Sequence, residues 1–387
     1  MHSNFRSIVA VLALGIALTG CASGPEAIDG RLAIDATQLA PQDSKISAYH
    51  ARFGRTKALV VVVGDNRGAE LTDYVVPYGV LARSGVAQVL ALSTHEGPIR
   101  TTTNLGLPGF QIQAEATIAQ FDARYPDGAD YIVVPATRGD AVLSNWIAQQ
   151  VDKGATIVSI CNGSQLVAKT VAMSGHLATG HWSTEADRMR DQAAVRWVRN
   201  ARYVADRKWV SSAGVSASIP VSVALVEAIA GRRHAAGLAR EMGIDDWSAR
   251  HNSDAFHPRF GSNLGALAQT VYTNGWFHKS ERIGVPVAAG MDEVALALTV
   301  DAYSSTGRSQ AFTVADIKSP LRTRHGLLLI PDATIDEASG FDRMLPPTNG
   351  TPSAAALDNA LAGIALSYGR STAFGVALVL EYPGFKQ

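Results

Sequence analysis

Cysteine is nearly missing from this chain, with two residues among 387. Two cysteines cannot build the disulfide framework that holds small secreted domains together. Charge is scarce too: charged residues make up 18%, and 34 basic side chains balance 34 acidic ones. A neutral chain without Lys/Arg runs lacks the counter-charge that supplies most non-specific affinity for nucleic acid. No apolar stretch reaches the roughly 20 residues of a membrane-spanning helix, and the nearest approach, at the N-terminus, is shorter. The glycine pair in Gly64-Asp65-Asn66-Arg67-Gly68 lacks the G-x-G-x-x-G spacing of a dinucleotide loop, and no cofactor is expected. What is plentiful is apolar surface. Hydrophobic residues make up 47%, enough for a sizeable core and too much for a disordered chain. The length suggests two domains.

Residues 1–21 read as an export signal. Arg6 precedes the apolar run Ile8 to Leu18, which meets Thr19, Gly20 and Cys21. The run has the length of a signal h-region and is too short to span a bilayer. Leu18-Thr19-Gly20-Cys21 resembles the lipobox of bacterial lipoproteins, and that resemblance implies a lipidated Cys21 as the mature N-terminus. Ala22 and Ser23 follow, with no Asp beside the cysteine, which by the same resemblance points to the outer membrane and a periplasm-facing protein of the cell envelope. Residues 22–56, mixed and polar with Gly24, Pro25 and Pro41, suit a tether. With Cys21 acylated, only Cys161 remains as a thiol, either inert and buried or free and reactive.

From Ala58 onward, short apolar runs alternate with amphipathic stretches. Ala58–Val63, Gln88–Leu92, Tyr131–Val134, Thr156–Ile160 and Trp209–Ser212 read as strands; Thr72–Ser84, Ala141–Gln150, Gln165–Met173 and Val221–Ile229 read as helices. This cadence predicts an α/β fold, a parallel sheet with helices on both faces. A weak repeat runs through it. Gln88–Ser93 and Gly97-Pro98-Ile99-Arg100-Thr101 return 222 positions later as Gln310–Ala315 and Ser319-Pro320-Leu321-Arg322-Thr323. Asp292 stands where Asp73 does, and Ser371–Glu381 echoes Ser216–Glu227. Residues 282–387 are therefore read as a shorter, degenerate α/β half-copy without a cysteine, joined by 259–281 to a first domain over 57–258. A copy too short to close its own sheet must pack on the first domain or on another chain.

Thr156-Ile157-Val158-Ser159-Ile160 runs directly into Cys161-Asn162-Gly163-Ser164 and a helical pattern. A nucleophile elbow places its nucleophile at such a turn among small residues, here Ser159 and Gly163. A thiol there sits at a helix N-terminus, whose dipole and free N–H groups favour thiolate and could hold an oxyanion.

Together, Val60–Gly64, Gly68-Ala69-Glu70-Leu71-Thr72-Asp73 with Pro77, Asp130–Ala136, the Cys161 elbow and Gly180-His181-Trp182 resemble the ThiJ/PfpI superfamily, the Parkinson-associated deglycase group within the class I glutamine-amidotransferase-like fold. The nearest subgroups are the isocyanide hydratases and the amidotransferase-like sensor domain of AraC-type regulators. The resemblance implies a flavodoxin-like fold, Cys161 as the reactive cysteine and Asp73 as the acid reaching it, with Glu70 a second candidate less well spaced from Pro77. Asn162 departs from the relatives that carry His directly after the cysteine, so peptidase activity is not expected.

His181 is a candidate general base, or a residue that packs beside Trp182. His251, Asp254 and His257 could form a metal site but read better as a linker, and no metal is expected. Two functions follow. In the first, an enzyme of hydratase or lyase type attacks a small electrophile through Cys161, with Asp73 moving the proton and Asn162 and the Gly163 elbow steadying the adduct. In the second, a small ligand or oxidant is sensed without turnover. The family's habit of pairing points to a homodimer, unless the half-copy covers the same face within one chain.

Overall fold

The Val-rich run Ala58–Gly64 (β1) is buried along its whole length, as a strand with helices on both faces must be. It is an interior strand of a seven-stranded sheet formed with Ala87–Ser93 (β2), the short Ala116–Thr117, Tyr131–Val134 (β3), Thr156–Ser159 (β4), Tyr203–Asp206 (β5) and Trp209–Ser212 (β6). The order is β5-β6-β4-β3-β1-β2-(116–117), parallel except for the β5–β6 hairpin. This is the expected α/β architecture, seen in a computed structural model that describes residues 33–387 apart from 172, 348, 349, 351 and 387. The signal segment and Cys21 lie outside the described residues.

Leu71–Ser84 (α1) runs from the end of β1 and is buried almost throughout. Ala141–Asp152 (α2) and Gly163–Thr170 (α3) follow β3 and β4 on the face lined by Leu59, Val61, Ile132 and Ile157. The helix expected over Gln165–Met173 starts two residues earlier and stops at Thr170, because Val171 already turns to extended backbone. Ser218–Ala230 (α4) and Arg232–Met242 (α5) are joined by Gly231 at a φ of 83°.

The C-terminal part repeats this plan. Glu281–Pro286 (β7), Ser309–Ala315 (β8), Ala333–Thr334 and Arg343–Met344 form a parallel sheet in the order (333–334)-β8-β7-(343–344). That is the order (116–117)-β2-β1-β3 of the first sheet, without the strands that carry the elbow. Glu293–Ser304 (α6) follows β7, and Ala355–Tyr368 (α7) joins Arg370–Val379 (α8) through Gly369 at a φ of 91°. Helix α7 packs on α6 as α4 packs on α1.

Two details of the expected repeat shift as a result. The helix holding Ser371–Val379 takes the place of α5 and not of α4. Asp292 is the N-cap of α6, accepting from the Ala295 amide, so it matches the Glu70 N-cap and not Asp73.

The halves meet about an approximate two-fold axis. Gln111–Gln113 pairs antiparallel with Leu328–Ile330, centred on Ile112 and Leu329, and α1 packs against α6. Such self-matching contact is the pattern of an isologous dimer, here within one chain. Helix contact is close at Gly79, where a Cβ would come within 2.9 Å of Glu293 Oε1. The reading of 22–56 as a tether fails for its described part. Ile34–Asp35 pairs with Val198 and Arg199 at the edge of a small three-stranded sheet, and Arg52 binds Asp130 and the Ala129 carbonyl, satisfying backbone where the central strand β3 begins. Residues 33–387 form one compact unit.

Candidate functional site

Strand β4 ends at Ser159, and the chain reverses through Ile160, Cys161 and Asn162 into α3. Cys161 adopts a φ of 54°, the left-handed region that a side chain other than glycine enters at a cost of about 1–3 kcal/mol. The turn is held by the Gly163 amide donating to the Ile160 carbonyl at 2.8 Å and by Ser164 Oγ donating to the Cys161 carbonyl at 2.9 Å. Gly163 is required by close approach. A Cβ there would fall on the Val134 carbonyl oxygen and lie 2.8 Å from that of Pro135. The expected elbow is therefore present, with the strained residue at the nucleophile position.

The first turn of α1 brings two carboxyls beside the thiol. Glu70 caps the helix by accepting from the Asp73 amide at 2.6 Å. Asp73 accepts from the Ala136 amide at 3.1 Å, which ties α1 to the end of β3. A third carboxyl comes from the C-terminal half. Asp301 on α6 accepts from Thr72 Oγ1 at 3.0 Å, from the Asn104 amide at 2.9 Å and from Ser305 Oγ at 3.2 Å. Its carboxyl stands at hydrogen-bonding range of that of Glu70. All three are buried, and two carboxyl oxygens can be joined only by a proton between them.

Burial, together with the Asp73 and Asp301 charges, holds Glu70 well above its ordinary value. Burial also pushes Asp73 up to about 7, against the pull of the Ala136 amide, and raises Asp301. Cys161, 2% exposed, is pushed well above the usual thiol range, first by burial and then by Asp73 and Glu70. The Asn162 backbone amide beside the sulfur opposes this. The expectation of a thiolate favoured by the helix N-terminus thus meets an opposing environment, since the Gly163 and Ser164 amides are spent on the turn itself. The Asn162 side chain is likewise engaged, its Oδ1 accepting from Thr184 Oγ1 at 2.7 Å.

His181 shares this buried region but is committed elsewhere. Its Nδ1 accepts from the Ser183 amide at 3.2 Å, so the ring proton is on Nε2, which donates to the Val379 carbonyl at 3.0 Å. Burial lowers its pKa and keeps it neutral. Neither ring nitrogen is left to take a proton from Cys161. The structure therefore brings Cys161, Asp73 and the Asn162 amide together and leaves His181 as a strut to the C-terminal half.

That half closes the site. The last carbonyls of α8 lack i+4 partners within the helix, and that of Leu378 also accepts from the Glu381 amide at 3.1 Å. Those of Leu378, Val379 and Leu380 are taken by Trp182 Nε1, by His181 with Asn104 Nδ2, and by the Ser216 amide. Glu381 follows at a φ of 54°. Its carboxylate accepts from the Gly214 amide at 2.7 Å and pairs with His251 Nε2 at 2.9 Å. Burial works to raise Glu381, but the bonds from His251 and Gly214 and the nearby His181 bring it below its ordinary value.

Asp254 bonds Asn200, and His257 faces Glu185 at 3.4 Å, so His251, Asp254 and His257 point to three different partners. Among the described residues no group of three or more His, Cys, Asp or Glu side chains is arranged to hold a metal ion.

Glu381, Asp301 and Arg188 have no signal in the sequence. The partners of Glu381 lie 167 and 130 positions away, beyond any local pattern. Arg188 is buried, donates to the His181 carbonyl at 2.5 Å and lies over the Trp197 ring. Burial lowers its pKa to about 10, and it stays cationic.

Residues 56–228 match the DJ-1/PfpI family. A search of the curated proteins finds no match. Among solved structures, Drosophila melanogaster DJ-1beta is 20% identical, with 49% of this chain and 100% of that chain covered and a TM-score of 0.43. A THiJ/PfpI family protein from Pseudomonas syringae is 20% identical over 54% of this chain and 81% of that one, at a TM-score of 0.42. An AraC family transcriptional regulator from Pseudomonas putida is 16% identical over 48% and 98%, at 0.40.

Proposed function

With the match of residues 56–228 to the DJ-1/PfpI family as the premise, we propose that Cys161 and Asp73 form a thiol–acid pair that acts on a small electrophile. The supporting observation is the φ of 54° at Cys161, a strain that a merely space-filling cysteine has no use for, beside a carboxyl pushed up to about 7. Near neutral pH, Asp73 exists in both protonation states, as proton transfer requires. Its carboxylate takes the Cys161 proton, and the sulfur bonds to the carbon of a reactive carbonyl or isocyanide. One π bond of that carbon breaks, and the proton passes from Asp73 to the adduct.

The test is turnover and alkylation together. Cys161→Ala is expected to abolish conversion of isocyanides and 2-oxoaldehydes while keeping the wild-type melting temperature. In wild type, the pH profile of iodoacetamide labelling should shift when Asp73 is replaced by Asn. Turnover that survives in Cys161→Ala removes this mechanism. The second reading is a ligand or oxidant sensor without turnover, favoured by the deep burial of Cys161 and the commitment of both His181 nitrogens. It takes the lead if wild type binds such compounds and converts none.

The export reading joins this proposal: the chain is anchored to the cell envelope through a lipidated Cys21. On fractionation, wild type is expected with the membranes. Cys21→Ala should lack the acyl mass that wild type carries at that cysteine, and N-terminal masses that differ by no more than the Cys-to-Ala substitution would refute the anchor.

A further inference from the structure

We propose that residues 260–277 form a membrane-facing surface that seats on an anionic phospholipid bilayer, a proposal that rests on the lipid-anchor reading for its setting. These residues contain no charged side chain, and they are flanked by Arg259 on one side and His278-Lys279 on the other. The helical stretch is continuous through Leu264–Ala268, Gln269–Thr273 and Asn274–Phe277. It buries Ala266, Leu267, Thr270 and Asn274, packing on α8. Outside this seam, large aromatic groups are left in water: Phe260 is 96% exposed, Trp276 79% and Phe277 77%.

Aromatic rings beside basic side chains are the composition of a membrane–water interface, where rings enter the headgroup layer and cations meet phosphate. Arg259 is exposed, and Lys279 reaches only the exposed Asp342, at 4.0 Å. No helix among the described residues is long and apolar enough to cross a membrane, so the fit is to a surface and not to a span.

The length of chain between Cys21 and the described residues allows this surface and the anchor to meet one bilayer. Asn200 Nδ2 donates to both Asp35 and Asp254, at 2.9 and 3.0 Å, so the first described residues lie beside the stretch leading into Phe260. From Ala33 back to Cys21 the chain reaches at most about 40 Å, and from Asp254 to Phe260 about 20 Å. A bilayer holding Cys21 is therefore within reach of these rings.

The experiment uses residues 33–387, the compact unit, so that no acyl chain contributes. Flotation with phosphatidylethanolamine/phosphatidylglycerol vesicles is expected to carry the protein upward, and the triple variant Phe260→Ser, Trp276→Ser, Phe277→Ser should bind at least tenfold more weakly. All three side chains are exposed, so the variant should keep the wild-type melting temperature. Arg259→Gln with Lys279→Gln should weaken binding to anionic vesicles several-fold. Two results would overturn the proposal. One is wild type left at the bottom of the gradient. The other is a concentration-dependent dimer that the triple variant abolishes, which would make a second copy the occupant. The acyl mass at Cys21 is measured separately, so the anchor and this surface fail independently.

Discussion

Gly163→Ala is expected to destabilise the protein by about 3 kcal/mol or more, the upper end for overpacking. The added methyl would meet the carbonyl oxygens of Val134 and Pro135, and backbone at the end of a central strand cannot turn aside as a side-chain tip can. Relief requires moving either β3 or the elbow, and β3 leads directly into Ala136, whose amide holds Asp73. The variant should therefore lose both melting temperature and the alkylation profile of Cys161. A melting temperature within about 2 °C of wild type would show that the elbow is looser than described.

The second large effect is a dependence on pH. Asp73 titrates at about 7 in the folded chain against an ordinary value of 3.8, so between these values the folded protein holds a proton that the unfolded chain has released. The stability from this group is fully present below about pH 4 and is lost as pH rises through 7. By linkage it amounts to up to about 4 kcal/mol. Glu70 and Asp301 shift in the same direction and extend the loss. His181, buried and neutral, works the other way below about pH 6.5.

Asp73→Asn separates these contributions, because its side-chain oxygen still accepts from Ala136 while the titration is gone. Urea unfolding at pH 5 and pH 8 should show wild type losing stability relative to Asp73→Asn. An equal difference between the two proteins at both pH values would mean that Asp73 titrates as an ordinary carboxyl.

The elements that were legible in the sequence share one property: their signal is local. Ala58–Val63 reads as a buried strand because five of its six residues are branched or long and apolar, without alternation. The elbow reads as an elbow because Ser159, Cys161 and Gly163 stand within five positions between a β-branched run and a helical one. Resemblance and the spacing to Pro77 point to Asp73. The half-copy was visible as a repeat, but its register slipped at both ends. Asp292 was matched to Asp73 although it caps its helix as Glu70 does, and the last helix was matched to the one before its true counterpart. Apolar helix patterns repeat every few residues, and only packing shows which helix lies on which.

By itself, the sequence determined an α/β chain with one thiol on a strand-to-helix turn, because hydrophobic period and small residues at a crowded bend act over a few positions. Tertiary structure alone decided the character of that thiol. Asp301 and Glu381 arrive from the C-terminal half across an approximate two-fold interface; Glu381 adds its charge to those of Asp73 and Glu70 on the sulfur, and Asp301 acts on Glu70 and Asp73. The desolvation and charge that raise Cys161 and Asp73 depend on distances in space between residues far apart in the chain.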